Sequence, residues 1–118
     1  MLHCAVRTFQ HMRSFVGVLT VLVLSASAAW AADAKAGKAL YDEECKDCHG
    51  AKGAPSAKLQ SNLKIKMKDL SGAEVQALSD AELKKRSVEG FGKMKPVKTI
   101  TGPAVDDVIA YVRSLKKK

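Results

Sequence analysis

The hydrophobic residues fall into two patterns. Residues 16–24 (VGVLTVLVL) form an unbroken apolar run, whereas beyond Ala32 the apolar positions recur at intervals that fit short helices. From Asp33 to His49, the residues Ala36, Gly37, Leu40, Tyr41, Glu44, Cys45 and Cys48 repeat at helical spacing, with Asp33 placed to cap a helix and Gly50 to end it. Residues 51–70 predict a surface loop with about one helical turn. Within it Leu63, Ile65 and Met67 alternate with lysines and fit a short strand equally well. Ser71 with Glu74, and Ser79 with Glu82, have capping-box spacing and predict two short consecutive helices, the second stopped by Gly90. Residues 90–96 (GFGKMKP) read as an irregular loop. A last helix starts near Thr101 with Pro103 in its first turn. Val105, Val108, Val112 and Leu115 form its buried stripe, with Tyr111 beside it and Lys116 to Lys118 at its negative end. The prediction is an all-α domain of three to five short helices without internal repeats.

The continuous apolar run belongs to something else. Arg7 and Arg13 precede it without any acidic residue, and SASAAWA follows, which are the three parts of a secretory signal. The run is too short to span a bilayer, which takes about 20 apolar residues. No cysteine follows it to receive a lipid. Residues 1–31 are therefore expected to be removed by cleavage after Ala31, and residues 32–118 to form a single periplasmic or secreted domain without a permanent membrane anchor.

The whole chain has 118 residues, room for one domain, and 20 basic against 12 acidic side chains give it a net charge of +8. Removing the signal takes away Arg7 and Arg13 and leaves the rest strongly basic. It also removes Cys4, His3, His11 and Trp30. The soft metal ligands that remain are Cys45, Cys48, His49, Met67 and Met94, and the aromatics are Tyr41, Phe91 and Tyr111. A domain this small with so few aromatics has a thin core, which a disulfide, metal or cofactor commonly supplements.

Residues 45–49 read Cys-Lys-Asp-Cys-His, the C-x-x-C-H signature for attachment of c-type haem. On a helix, positions i, i+3 and i+4 share a face, so both thiols can bond to the macrocycle while the imidazole reaches the iron. A thioredoxin-like redox pair would need a β-α-β context, zinc would need further ligands that only carboxylates could supply, and a plain Cys45–Cys48 disulfide would leave the thin core unexplained. The second ring nitrogen of His49 needs an acceptor, for which the Pro55 carbonyl is the candidate. No second histidine follows residue 49, so the sixth iron position falls to Met94, Met67, a lysine or nothing. Met94 is the preferred ligand. It lies far along the chain in a glycine-rich loop that can return to the opposite side of a flat cofactor, whereas Met67 reads more simply as a wall residue.

With Cys45, Cys48, His49 and Met94 in place, residues 32–118 resemble the small monohaem bacterial class I cytochromes c. Gly37 and Tyr41 on the first helix look like that family's small-and-aromatic contact, and Val108 and Tyr111 on the last helix look like its counterpart. The loop departs from the family in placing Lys95 between Met94 and Pro96. The resemblance implies helices wrapped around one covalently attached haem c. It also implies a soluble exported one-electron carrier that cycles between Fe(III) and Fe(II) with His/Met ligation, and not an enzyme. A haem enzyme or gas sensor with an open sixth position, and a subunit of a larger periplasmic oxidoreductase, are the alternative functions. Lys93, Lys95 and Lys98 border the ligand loop and are the candidate patch for redox partners with acidic docking surfaces. Nucleic acid is not an expected partner, and the expected state is a monomer.

Overall fold

In the computed structural model, which describes residues 31–118, Asp33 begins the first helix as the sequence predicts. Its carboxylate accepts from the Lys35 and Ala36 amides at 2.8 and 3.3 Å and caps α1 (Ala34–Glu44). The predicted run to His49 is divided at Cys45, whose φ of −118° leaves the helical range, and a single turn, α2 (Lys46–His49), follows and ends at Gly50. α3 (Ala57–Leu63) is longer than the one turn expected in the loop. It stops where Lys64 takes a left-handed φ of 52°. The segment after α3 does not form a strand. The Gln60 carbonyl accepts from Ile65 N and the Gln60 side chain from Met67 N, at 3.0 and 2.8 Å, so that backbone is satisfied without a neighbouring strand. The signal predicted over residues 1–31 falls outside the described residues except for Ala31.

α4 (Ala73–Gln76) and α5 (Asp80–Glu89) match the two capping boxes, but only the second works as one. The Ser79 hydroxyl accepts from Glu82 N at 3.1 Å, whereas Gly72 stands at the cap of α4 and Ser71 turns back to Asp69. That carboxylate accepts from both the amide and the hydroxyl of Ser71, at 2.8 and 2.6 Å, which removes Ser71 from capping. α6 (Pro103–Ser114) begins one residue later than expected, with Gly102 as its cap. Among the described residues no helix is long and apolar enough to cross a membrane.

α1 and α6 pack against each other at the closest point of the fold. An added Cβ on Gly37 would lie 1.8 Å from the Asp107 carbonyl oxygen, so no side chain fits between the two backbones. Asp33 N–H also donates to the Asp107 carboxylate at 2.8 Å. One turn further on, the rings of Tyr41 and Tyr111 meet edge to face with centroids 5.0 Å apart, an arrangement worth about 0.5–1.5 kcal/mol beyond the area it buries. The expected pairing of Gly37 and Tyr41 with Val108 and Tyr111 is thus the geometry found. Val105, Val108 and Val112 are buried as expected, Ile109 joins them, and Leu115 is only half-buried.

The other helices are tied to this pair. Val75, Leu83, Ile100, Val105, Val108 and Ile109 make one aliphatic cluster, with Leu40, Cys45, Leu70, Leu78 and Val97 against it. Arg113 joins the end of α6 to the turn between α4 and α5. It donates to the carbonyls of Gln76 and Leu78 at 2.8 and 2.5 Å and to the Asp80 carboxylate at 2.9 Å, satisfying carbonyls that the end of α4 leaves free. Asp69 holds the C-terminus through Lys117 at 2.8 Å. That bond and those from Ser71 keep the Asp69 carboxyl down at about 2.

Two outcomes follow from this packing. Gly37→Ala is expected to destabilise the domain by at least about 2 kcal/mol, lowering Tm by about 10 °C, because the clash is with backbone; an unchanged melting curve would contradict the close crossing. Asp69 ionises more readily in the folded chain than in the unfolded one, so its contribution is complete above about pH 4 and is lost as pH falls through about 2. Asp69→Asn is expected to flatten the loss of stability over that interval, as read by denaturant melts at several pH values.

Candidate functional site

The face of the helix pair that meets α5 is the wall of a large cavity. Buried core residues Tyr41, Val75, Leu83, Val108, Ile109 and Val112 all line it, so core and cavity share one surface. Its volume is ≈ 1110 Å³, against about 300–1,000 Å³ for ordinary small-molecule sites. The floor comes from α1 and α2, which bring Cys45, Cys48 and His49 to it together. Leu63, Ile65 and Met67 close one side after α3, and residues 91–99 close another, Met94 among them.

Local structure fixes how the Cys-x-x-Cys-His turn is presented. His49 N–H donates to the Cys45 carbonyl at 2.9 Å, closing a helical turn that puts the two sulfurs and the imidazole on one side. Immediately beyond it, two tyrosines hold consecutive carbonyls: Tyr41 Oη donates to Gly50 at 2.7 Å and Tyr111 Oη to Ala51 at 3.3 Å. The contact between α1 and α6 therefore also positions the backbone next to His49. Sequence reasoning assigned these tyrosines only to helix packing, since nothing in their spacing reveals where the hydroxyls go.

The electrostatics are those of a dry site. Burial pushes the Cys45 thiol up to about 11, with Glu44 and Cys48 adding to the effect, and burial also raises the Tyr41 phenol above its ordinary range. Burial lowers the His49 imidazole, which keeps it neutral, the form in which a ring nitrogen ligates a metal. His49 Nδ1 is sealed from solvent and has no hydrogen-bond partner. The bond expected to the Pro55 carbonyl is not formed, and Pro55 does not line the cavity. Leaving a buried polar atom unmatched costs about 1–3 kcal/mol, and because Nδ1 is sealed within the protein, Nε2 is the ring nitrogen that can meet a bound group.

Cys45 and Cys48 are free thiols, which removes the plain disulfide. Among the described residues no group of three or more His, Cys, Asp or Glu is arranged to hold a bare metal ion. A mostly apolar cavity with two thiols and one neutral imidazole on a single turn, and thioethers on other walls, fits a large flat cofactor held by thioether bonds.

Met94 is presented by a short reversal. Phe91 and Met94 exchange both backbone hydrogen bonds, at 3.1 and 2.9 Å, and Val97 N donates to the Ser87 carbonyl at 2.9 Å. Gly90 makes this possible. Its φ is +83°, and a Cβ there would meet the Met94 carbonyl oxygen at 2.6 Å. Met67 also lines the cavity, from the segment braced by Gln60. Lys66, Lys68, Lys93, Lys95 and Lys98 are all exposed and all contribute to the lining, in which Glu44 is the one carboxylate among the described residues. Arg86 and Phe91, which sequence reasoning did not assign to the site, line it as well.

Comparison with known proteins agrees with this geometry. The family model described as Cytochrome c matches residues 34–116. A solved structure titled "KustC0563 c-type cytochrome" superposes with a TM-score of 0.58 at 32% identity, covering 69% of this chain and 98% of its own. No curated protein matches the chain.

Proposed function

The chain belongs to the cytochrome c family and carries covalently bound haem c, and from that premise we propose that it is an exported, soluble one-electron carrier of class I with His49 and Met94 as axial ligands. One observation supports this reading above all: a single cavity gathers Cys45, Cys48 and His49 from one helical turn and Met94 from a separate, braced loop. The bound haem supplies one-electron exchange between Fe(III) and Fe(II).

The protein residues have separate tasks. Cys45 and Cys48 retain the group covalently, and the neutral imidazole of His49 gives one ring nitrogen. Met94 offers a neutral thioether that resists protonation and favours the reduced state. It is preferred to Met67 because it lies far along the chain from the Cys-x-x-Cys-His turn, in a glycine-bounded loop that can return to the opposite side of a flat group and is pinned at Gly90, at Phe91 and at Ser87. Tyr41, Val108, Ile109 and Val112 keep water away and limit rearrangement when the charge changes. The secretory pattern over residues 1–31 supports export to the periplasm or beyond.

The mouth of the cavity supports the choice of partner. Lys93, Lys95 and Lys98 are exposed members of its lining, as are Lys66 and Lys68 from the segment after α3, and they favour the approach of acidic redox proteins. Lys68 pairs with Glu74 at 2.5 Å, which leaves the 93–98 group as the stronger attractor.

Carbon monoxide distinguishes a filled sixth position from an open one. The reduced protein is expected to show low-spin c-type bands that carbon monoxide displaces only slowly, Met94→Ala to bind it readily, and Met67→Ala to behave as the parent. Ready binding by the parent would instead favour an open-site enzyme or sensor, and opening by Met67→Ala would exchange the two methionines. The charge argument has its own test: Lys93→Glu with Lys95→Glu is expected to slow oxidation by hexacyanoferrate(III) about tenfold at low salt and to flatten its salt dependence. Unchanged rates would remove these lysines from the docking surface.

A further inference from the structure

Met94 is connected to α5 by side chains as well as by the chain itself. Phe91 is 59% exposed, yet one face of its ring is covered: the Arg86 guanidinium carbon lies 4.1 Å from the ring centroid. Arg86 is held in turn by Glu82, one helical turn earlier, with Nε 2.7 Å from the carboxylate. Phe91 exchanges both backbone hydrogen bonds with Met94. A continuous series of contacts thus runs from Glu82 through Arg86 and Phe91 to Met94, at the rim of the cavity that Arg86 and Phe91 also line.

We propose that Arg86 is a positioning residue for Met94: stacked on Phe91 and anchored by Glu82, it holds the 91–94 reversal closed and so keeps the methionine on the iron. The proposal rests on Met94 being the sixth ligand. It differs from a general stabilising role in where the contact lies. Arg86 and Phe91 stand outside the aliphatic cluster, so their stack adds little to global stability but opposes local opening of the loop. A guanidinium is suited to this, because its planar face stacks on the ring while its Nε remains paired. Carbon monoxide can bind only when the methionine has left, so its association rate follows the open fraction. A cation–π contact at an exposed site changes that fraction about two- to five-fold.

The test measures carbon monoxide association with the reduced, haem-loaded protein in Arg86→Met, Phe91→Leu and the double variant. Each single variant is expected to raise the rate about two- to five-fold, and the double variant to go no further, as required if the two residues act as one unit. Arg113→Met, in the last turn of α6, serves as the control for global destabilisation and is expected to lower Tm without altering the rate. Met94→Ala separates the two levels of the argument. If it binds carbon monoxide quickly while Arg86→Met matches the parent, or if the single effects multiply in the double variant, the positioning role is overturned and Met94 remains the ligand. If Met94→Ala changes nothing, both fail. A rate that follows Tm across all variants, Arg113→Met included, would reduce Arg86 to an ordinary surface contact.

Discussion

The structure depends on the absence of a side chain at Gly37. Because nothing stands between the backbones there, α1 and α6 approach closely enough for the Asp107 carbonyl to occupy the space that a Cβ on Gly37 would need. Tyr41 and Tyr111 can then meet, and their hydroxyls reach the carbonyls of Gly50 and Ala51. Those carbonyls follow His49 directly, so a packing constraint between two helices becomes a constraint on the imidazole. A longer separation would leave the tyrosines in place on their helices but take their hydroxyls out of reach of the loop.

The second organising feature is that the core and the cofactor cavity share their walls. Val75, Leu83, Val108 and Ile109 belong to the aliphatic cluster and also face the cavity. A domain of this size with three aromatic residues after the signal cannot build a thick core from side chains alone. A large apolar cofactor bonded to two cysteines supplies the missing interior, which joins folding and function in one interaction. The polar requirements of the site are correspondingly few: a neutral imidazole and thioethers are compatible with dry surroundings, and the lysines that contribute to the lining are exposed.

Most of the site could be read from the sequence because covalent haem attachment imposes a fixed spacing. Cys45, Cys48 and His49 must share a helical turn, which leaves a local pattern, whereas the meeting of Gly37 and Tyr41 with Val108 and Tyr111 was legible only through the resemblance to class I cytochromes c. Other features left none. The division of the first helix at Cys45 depends on one backbone angle, and the Ser71 hydroxyl had two plausible partners, of which Asp69 prevailed over the α4 terminus. The alternation of Leu63, Ile65 and Met67 resembled a strand, but Gln60 satisfies that backbone instead. Arg86 and Phe91 are brought together by the turn at Gly90, and their separation in the chain gives no sign of a stack. Pro55 was the candidate acceptor for His49, but no hydrogen bond joins its carbonyl to Nδ1.

The central proposal is that Met94 is the sixth ligand, in which case its methyl group would lie over the haem while Met67 stays in the wall. The most direct measurement is the proton NMR spectrum of the reduced, loaded protein with methyl-labelled methionine, in the parent and in Met67→Leu. The account predicts one methionine methyl signal displaced far upfield by the ring current of the macrocycle, and the persistence of that signal in Met67→Leu. Loss of the displaced signal in that variant, or a parent spectrum with neither methyl displaced, would contradict it.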